Sequence, residues 1–186
     1  MASIKIKGDT SGSTTITAPA TGSDETIELS TALASKLDLA GGKILQIVRA
    51  TDTSSRSTTS TTYIDVTGMA VTITPQKSDS AILIISNCFL ALNNSTDNVL
   101  KGRLQLTDAS NNSLSGAEGN EFGVTNLTGT GTRQFRSYVT MLARSTPATT
   151  SAVTYKMRAK SETANVTTVI PNNIVTGQMY AIEVSA

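Results

Sequence analysis

Ala81–Leu92, AILIISNCFLAL, is the longest nearly uninterrupted apolar run in the chain, and a fold must be found that closes around it. At about 3.3 Å per residue it would reach roughly 40 Å as one strand, which is long and predicts a bend at its polar step, Ser86-Asn87. The β-branched and aromatic content, the length and the polar step favour a strand over a buried helix, and the run falls short of the roughly 18 apolar residues of a membrane span. Apolar residues at both parities predict a central strand buried on both faces. Burial of Ile82, Leu83, Ile84, Phe89 and Leu90 would then contribute about 1.5–3 kcal/mol each.

The remaining sequence supplies partners for such a strand. Lys43–Ala50 is mostly apolar and gives way to Thr51–Ser60, which reads as a Ser/Thr-rich loop. Thr61–Val66 and Val71–Pro75 flank Thr67-Gly68, a turn signal. Leu100, Leu104 and Leu106 alternate with Lys101, Arg103 and Gln105, the mark of a half-exposed strand. Residues 109–132 are rich in Gly, Asn, Ser and Thr and read as a long excursion with one short strand near Phe122–Leu127. Alternation resumes in Arg133–Arg144 (Phe135, Val139 and Met141 on one face) and in Val153–Ala159. Val166–Pro171 is a shorter strand, and Gln178–Ser185 closes the chain with Tyr180, Ile182 and Val184 on one face. About eight strands over residues 43–186 predict an all-β, antiparallel sandwich of jelly-roll type, with Ile84, Cys88, Leu104, Val139, Tyr155 and Ile182 in its interior.

The beginning of the chain has a different character. Residues 1–29 read as short strands at Ser3–Lys7, Thr14–Ala18 and Thr26–Leu29, joined by Gly-Asp-Thr-Ser-Gly and Ala-Thr-Gly-Ser-Asp turns. Their apolar residues (Ile4, Ile6, Ile16, Ile27, Leu29) are too few for a core, so the segment is an arm that leans on another chain or on the main domain. Residues 30–39, STALASKLDL, are the one helical stretch, with Leu33 and Leu37 four apart and Gly41-Gly42 to end it. Residues 30–42 thus read as a joint between the arm and the sandwich, with a plain linker turn as the alternative reading.

Chemistry is constrained chiefly by what is missing. The 186 residues contain no histidine, which removes the usual general base, the Ser-His and Cys-His nucleophile pairs and the commonest transition-metal ligand. Fifteen Lys and Arg against 14 Asp and Glu, with no long basic run, give no electrostatic basis for nucleic-acid or anionic-membrane capture. Neither a secretion signal nor a membrane anchor is legible, so no membrane insertion is expected. The single cysteine, Cys88, lies within the central strand as a small buried hydrophobe, and no internal disulfide can form. Glu118 and Glu121 share a loop but flank no buried strand end, so they read as solvated acids and not as a glycosidase pair. Asp97, Asp108 and Asn111-Asn112 have oxygen ligands without a calcium-loop spacing, and Gly129-Thr-Gly131-Thr lacks the lysine of a phosphate loop. No catalytic, cofactor or metal site is expected. A carbohydrate platform would have to come from Tyr63, Phe122, Tyr138, Tyr155 or Tyr180, most of which sit at core-compatible strand positions.

Three stretches together carry a resemblance. IKGDTSGSTTITAPATGSDETIEL resembles a segment near the start of many tail-fibre and other virion proteins of tailed phages, especially marine and cyanobacterial ones, and departs from it in ending TIELS where the usual form has TLP. TALASKLDLAGG resembles a short joint common in phage tail fibres. KILQIVRATDTSSRSTTSTTYIDVTGMAVTITPQKSDSAILIISNCFLAL resembles the start of a β-rich phage domain. The resemblance covers about residues 3–92. It implies a virion structural protein made in the host cytoplasm: a homotrimeric capsid-surface decoration, capsid fibre or tail-fibre component without enzymatic activity. Another virion protein, capsid or tail, would be its docking partner, reached through Ile4, Ile6, Ile16, Ile27 and Leu29 of the arm, while Leu33 and Leu37 on the short helix would pack around the three-fold axis of the trimer. The alternative it leaves open is a receptor-binding tip whose partner is a host-surface glycan.

Overall fold

The computed structural model describes residues 3–7, 13–17, 42–94, 99–125 and 131–186. The chain divides into two compact units, Met1–Ala40 and Gly41–Ala186. In the first, β1 (Ser3–Lys7) and β2 (Ser13–Thr17) pair antiparallel, Ile4 opposite Ile16 and Ile6 opposite Thr14. The strand expected at Thr26–Leu29 and the helix expected over residues 30–39 lie outside the described residues.

The second unit contains β3 (Ile44–Asp52), β4 (Ser55–Thr58), β5 (Ile64–Ile73), β6 (Ala81–Asn94), β7 (Leu100–Asp108), β8 (Asn120–Val124), β9 (Arg133–Ser145), β10 (Val153–Ser161), β11 (Thr167–Pro171) and β12 (Gly177–Val184). These form two antiparallel sheets packed face to face as a β-sandwich. The first sheet has the order β3-β12-β6-β9, and the second β5-β10-β7-β8. Followed along the chain, these eight strands alternate between sheets except at β7-β8, which is the double Greek-key connectivity of a jelly roll. The extra pair, β4 and β11, extends the first sheet. β12 lines β6 from Ala81 to Asn87, and β11 takes over the same edge from Ala91 to Asn93.

β6 is the spine of this arrangement. Its pairing with β9 runs unbroken from Ile82↔Ser145 to Asn94↔Arg133, so that register is kept through the Ser86-Asn87 step, while on the other edge pairing with β12 ends at Asn87 and β11 takes over from Ala91. Its even-numbered residues enter the core: Ile82, Ile84, Ser86, Cys88, Leu90 and Leu92 are fully buried. The expectation of burial on both faces fails. Leu83 points outward at 36% exposure and Phe89 is only half-buried, because no other strand of the Gly41–Ala186 unit packs on the outer face of the first sheet. From the opposing sheet come Leu100, Leu104 and Leu106 of β7, Tyr155, Met157 and Ala159 of β10, and Val66, Met69, Val71 and Ile73 of β5. Of the residues expected in the interior, Ile84, Cys88, Leu104, Val139 and Tyr155 are there. Ile182 is not. On β12 the inward positions belong to Met179, Ala181 and Glu183, leaving Tyr180, Ile182 and Val184 on the outer face.

Two local readings are also corrected. Thr67-Gly68 is no hairpin turn but a bulge within the single strand β5. The register against β10 jumps from Ala70↔Lys156 to Asp65↔Arg158, with Gly68 at φ +95 inside the inserted residues. Turn and bulge alike call for a residue at positive φ, so Thr-Gly signals either. The Ser/Thr-rich stretch after β3 is likewise not all loop: Ser55–Thr58 forms β4 by pairing with β11.

Candidate functional site

The two outer faces of the sandwich differ in chemistry, and function must be sought there or at the strand ends. On the second sheet, alternation turns Lys156, Arg158 and Lys160 of β10 outward beside Lys101 and Arg103 of β7. Acids on neighbouring strands answer them. Asp65 on β5 pairs with Lys156 at 2.7 Å and Arg158 at 2.8 Å; Glu121 on β8 pairs with Lys101 at 2.6 Å and Arg103 at 2.7 Å. Glu162 bridges Arg103 at 2.6 Å and Lys160 at 3.1 Å, and the Lys160 ammonium also lies 5.5 Å from the Tyr63 ring centroid. The hydrogen bond from Lys156, with the Arg158 guanidinium beside it, holds the Asp65 carboxyl below its ordinary value, and Lys101 does the same to Glu121. This face is a solvated cross-strand ion lattice.

The outer face of the first sheet carries a different set. Across β3, β12, β6 and β9 the rows read Ile47-Ile182-Leu83-Arg144, then Arg49-Tyr180-Ile85-Leu142, then Thr51-Gln178-Asn87-Thr140, with Phe89-Tyr138 and Ala91-Arg136 beyond. Phe89 and Tyr138 meet at 5.1 Å between centroids, and the Arg49 guanidinium lies 5.8 Å from the Tyr180 ring centroid. No Lys, Asp or Glu occupies these positions.

The acids singled out in the sequence do not converge. Glu121 is engaged in its two ion pairs, and its carboxyl is lowered, the opposite of what a general acid needs. Glu118 accepts from the Gly116 N–H at 3.2 Å within its own loop. Asp108 closes an Asx turn: Oδ1 accepts from the Ser110 and Asn112 N–H groups, both at 2.9 Å, and Oδ2 from Asn112 Nδ2 at 2.8 Å. Asn111 at φ +70 lets that turn close, so these residues serve the β7 loop. Asp97 and Gly129 lie outside the described residues. Among the described residues no three His, Cys, Asp or Glu side chains cluster as a metal site, and no helix is long and apolar enough to cross a membrane.

Burial pushes the Cys88 thiol up to about 12, so it is a core side chain and no nucleophile. Of the aromatics, Tyr155 is buried in the core, Phe122 packs against it, and Tyr63 is half-buried beside the ion lattice. Tyr138 is the exposed one, at 66%. A depression of about 350 Å³ between the end of β7 and the start of β10 is lined by Asp108, Pro147 and Tyr155, and one of about 310 Å³ at the lower rim of the first sheet by Asp79, Leu83 and Arg144. Neither assembles an acid, a base and a nucleophile.

Of the residues expected to dock the chain to its partners, Ile4 and Ile6 lie on β1 and Ile16 on β2, while Ile27, Leu29, Leu33 and Leu37 fall outside the described residues. The buried Glu183 escaped sequence reading, although it shares parity with Met179 and Ala181. Its carboxylate accepts from Gln46 Nε2 at 2.6 Å, the Gln76 N–H at 2.8 Å and the Lys77 N–H at 3.1 Å, which pins the β5-β6 turn to β12. Burial alone would raise this carboxyl, but these bonds outweigh it and hold it below the ordinary value. Its role is architectural. Comparison with known proteins adds no family: no family model matches the sequence, and no curated protein is significantly similar to it.

Proposed function

We propose that the protein is a non-enzymatic structural component of a tailed-phage particle, a capsid-surface decoration, capsid fibre or tail-fibre part, attached through residues 1–29. The division into a small β-hairpin unit and a jelly roll is the observation that carries this reading, because a hairpin of five-residue strands needs a further surface to be stable. The sequence resemblance over residues 3–92 supports it from a separate direction. Jelly rolls also serve viral capsids and lectins, an analogy at the level of fold only.

In this reading the arm adds strands to an exposed edge on a capsid or tail protein, and three copies give avidity to a weak single contact. The test is deletion of residues 1–29 in the phage. The truncated protein should keep the unfolding midpoint of the full chain and be missing from purified particles; normal occupancy on virions would refute the assignment of attachment to the arm. A second reading, a glycan-binding tip, has the exposed ring of Tyr138 in its favour. Loss of host-cell adsorption in Tyr138→Ala particles with normal occupancy would select it.

A further inference from the structure

The outer face of the first sheet has the composition of a protein–protein interface. Interface centres are enriched in Tyr, Phe and Arg and depleted in Lys, Asp and Glu, which is the inventory of the rows around Leu83, Tyr138 and Arg144. The opposite face of the same sandwich carries the lysines and acids already saturated with one another. Ile44 is 55% exposed, Ile47 56%, Leu83 36%, Tyr138 66% and Leu142 54%. Together they present on the order of 500 Å² of largely apolar surface, at the upper end of what a monomer ordinarily leaves in water.

We infer that this face is where copies of the chain associate with one another, wherever on a particle the protein is carried. Two features select a second copy as the occupant. The first is size: with its half-buried rim (Ile85, Phe89, Tyr180, Ile182, Val184) the patch approaches the roughly 800 Å² per partner of a standard stable interface. The second is charge. Arg136 and Arg144 make no ion pair among the described residues, and the same face offers an exposed tyrosine ring along with the amides and hydroxyls of Asn87, Gln134 and Thr140. The patch therefore contains both halves of a cation–π and hydrogen-bonded contact, in the manner already shown within one chain by Arg49 and Tyr180. An acidic partner is not required to neutralise it.

The experiment is sedimentation velocity on the full chain at tens of micromolar, with the double variant Ile47→Lys/Leu142→Lys. The wild type should sediment as a multiple of the chain mass, and the variant should associate about a hundredfold more weakly, since two buried aliphatic contacts are replaced by charges. Both positions are more than half exposed, so the variant should keep its β-sheet circular dichroism; if it does not, Tyr138→Glu replaces it. Placement is read by cross-linking. A short bis-maleimide should join copies of Tyr138→Cys but not of Gln105→Cys on the opposite sheet, with Cys88 silent in the core. A monomeric wild type, undiminished association in the variant, or equal cross-linking from both sheets would overturn the inference.

Discussion

Replacing Glu183 tests whether a buried carboxylate holds one end of the sandwich together. Its side chain is fully buried on the inner side of β12, and three donors converge on it: Gln46 Nε2 and the backbone N–H groups of Gln76 and Lys77. Glu183→Ala strands two backbone donors at about 1–3 kcal/mol for each buried group left unpaired, and takes from the Gln46 amide one of its two acceptors, the Thr74 carbonyl remaining at 2.6 Å. With partial access to water at the turn, the expected loss is about 3–4 kcal/mol. Glu183→Gln keeps an acceptor but turns an amide N–H toward the donors, and should cost about 1–2 kcal/mol. Because the folded carboxyl lies below its unfolded value, near 4.3 for a free glutamate, the charged form stabilises the fold fully above that pH. That contribution is lost as pH falls through the folded value. The glutamine variant cannot titrate at this site, so the wild-type advantage should be constant from pH 6 to 8 and shrink below about pH 4. Urea unfolding of the three proteins at pH 7, 5 and 3.5 reads both effects, with unchanged m-values confirming that the unfolded state is comparable. A Glu183→Ala loss under 1 kcal/mol, or an advantage over glutamine that grows toward acid, would refute the reasoning.

Gly68→Val should lower stability by about 2–3 kcal/mol, with a fall in Tm of roughly 4–10 °C. The residue sits at φ +95, and an added Cβ would lie 2.6 Å from the Asp52 carboxyl, itself bonded by Asn172 Nδ2 at 2.8 Å. A Tm within 1 °C of wild type would show that the bulge relaxes. Cys88 should react with a thiol-specific disulfide reagent at pH 8 at least about a thousandfold more slowly in the native protein than in urea. Comparable rates in the two states would mean that the centre of β6 opens readily.

The parts of the fold legible in sequence were those where polar residues mark one face. Lys101, Arg103 and Gln105 against Leu100, Leu104 and Leu106 specify both strand and orientation, as do Lys156, Arg158 and Lys160 against Tyr155, Met157 and Ala159. Where both parities are apolar, sequence cannot distinguish a core from a surface reserved for something else. Leu83 and Phe89 read as interior and instead lie on the outward side of β6. β12 misled for the converse reason: the larger residues Tyr180 and Ile182 face out, while Glu183 faces in because donors from two other segments meet it there. β4, Ser-Arg-Ser-Thr, has no apolar residue to announce it and owes its conformation to β11. The outward rows of the first sheet were invisible for a further reason. They draw single residues from four strands whose adjacency, β3-β12-β6-β9, exists only in the folded chain.

That adjacency also sets how the sandwich bears load. β3 and β12 are antiparallel neighbours, and the Gly42 N–H bonds the Ser185 carbonyl at 3.0 Å, so the backbone enters and leaves the domain side by side. Tension applied between these two points pulls the ladder open from its end, one rung at a time, the peeling geometry in which a sheet yields to small forces. Tension entering at one point and leaving through the face of the sheet instead loads β6 across all its neighbours together. Pulled by its two ends in an optical trap, the domain should unzip softly; held by one end and by a handle on β9, it should resist far longer.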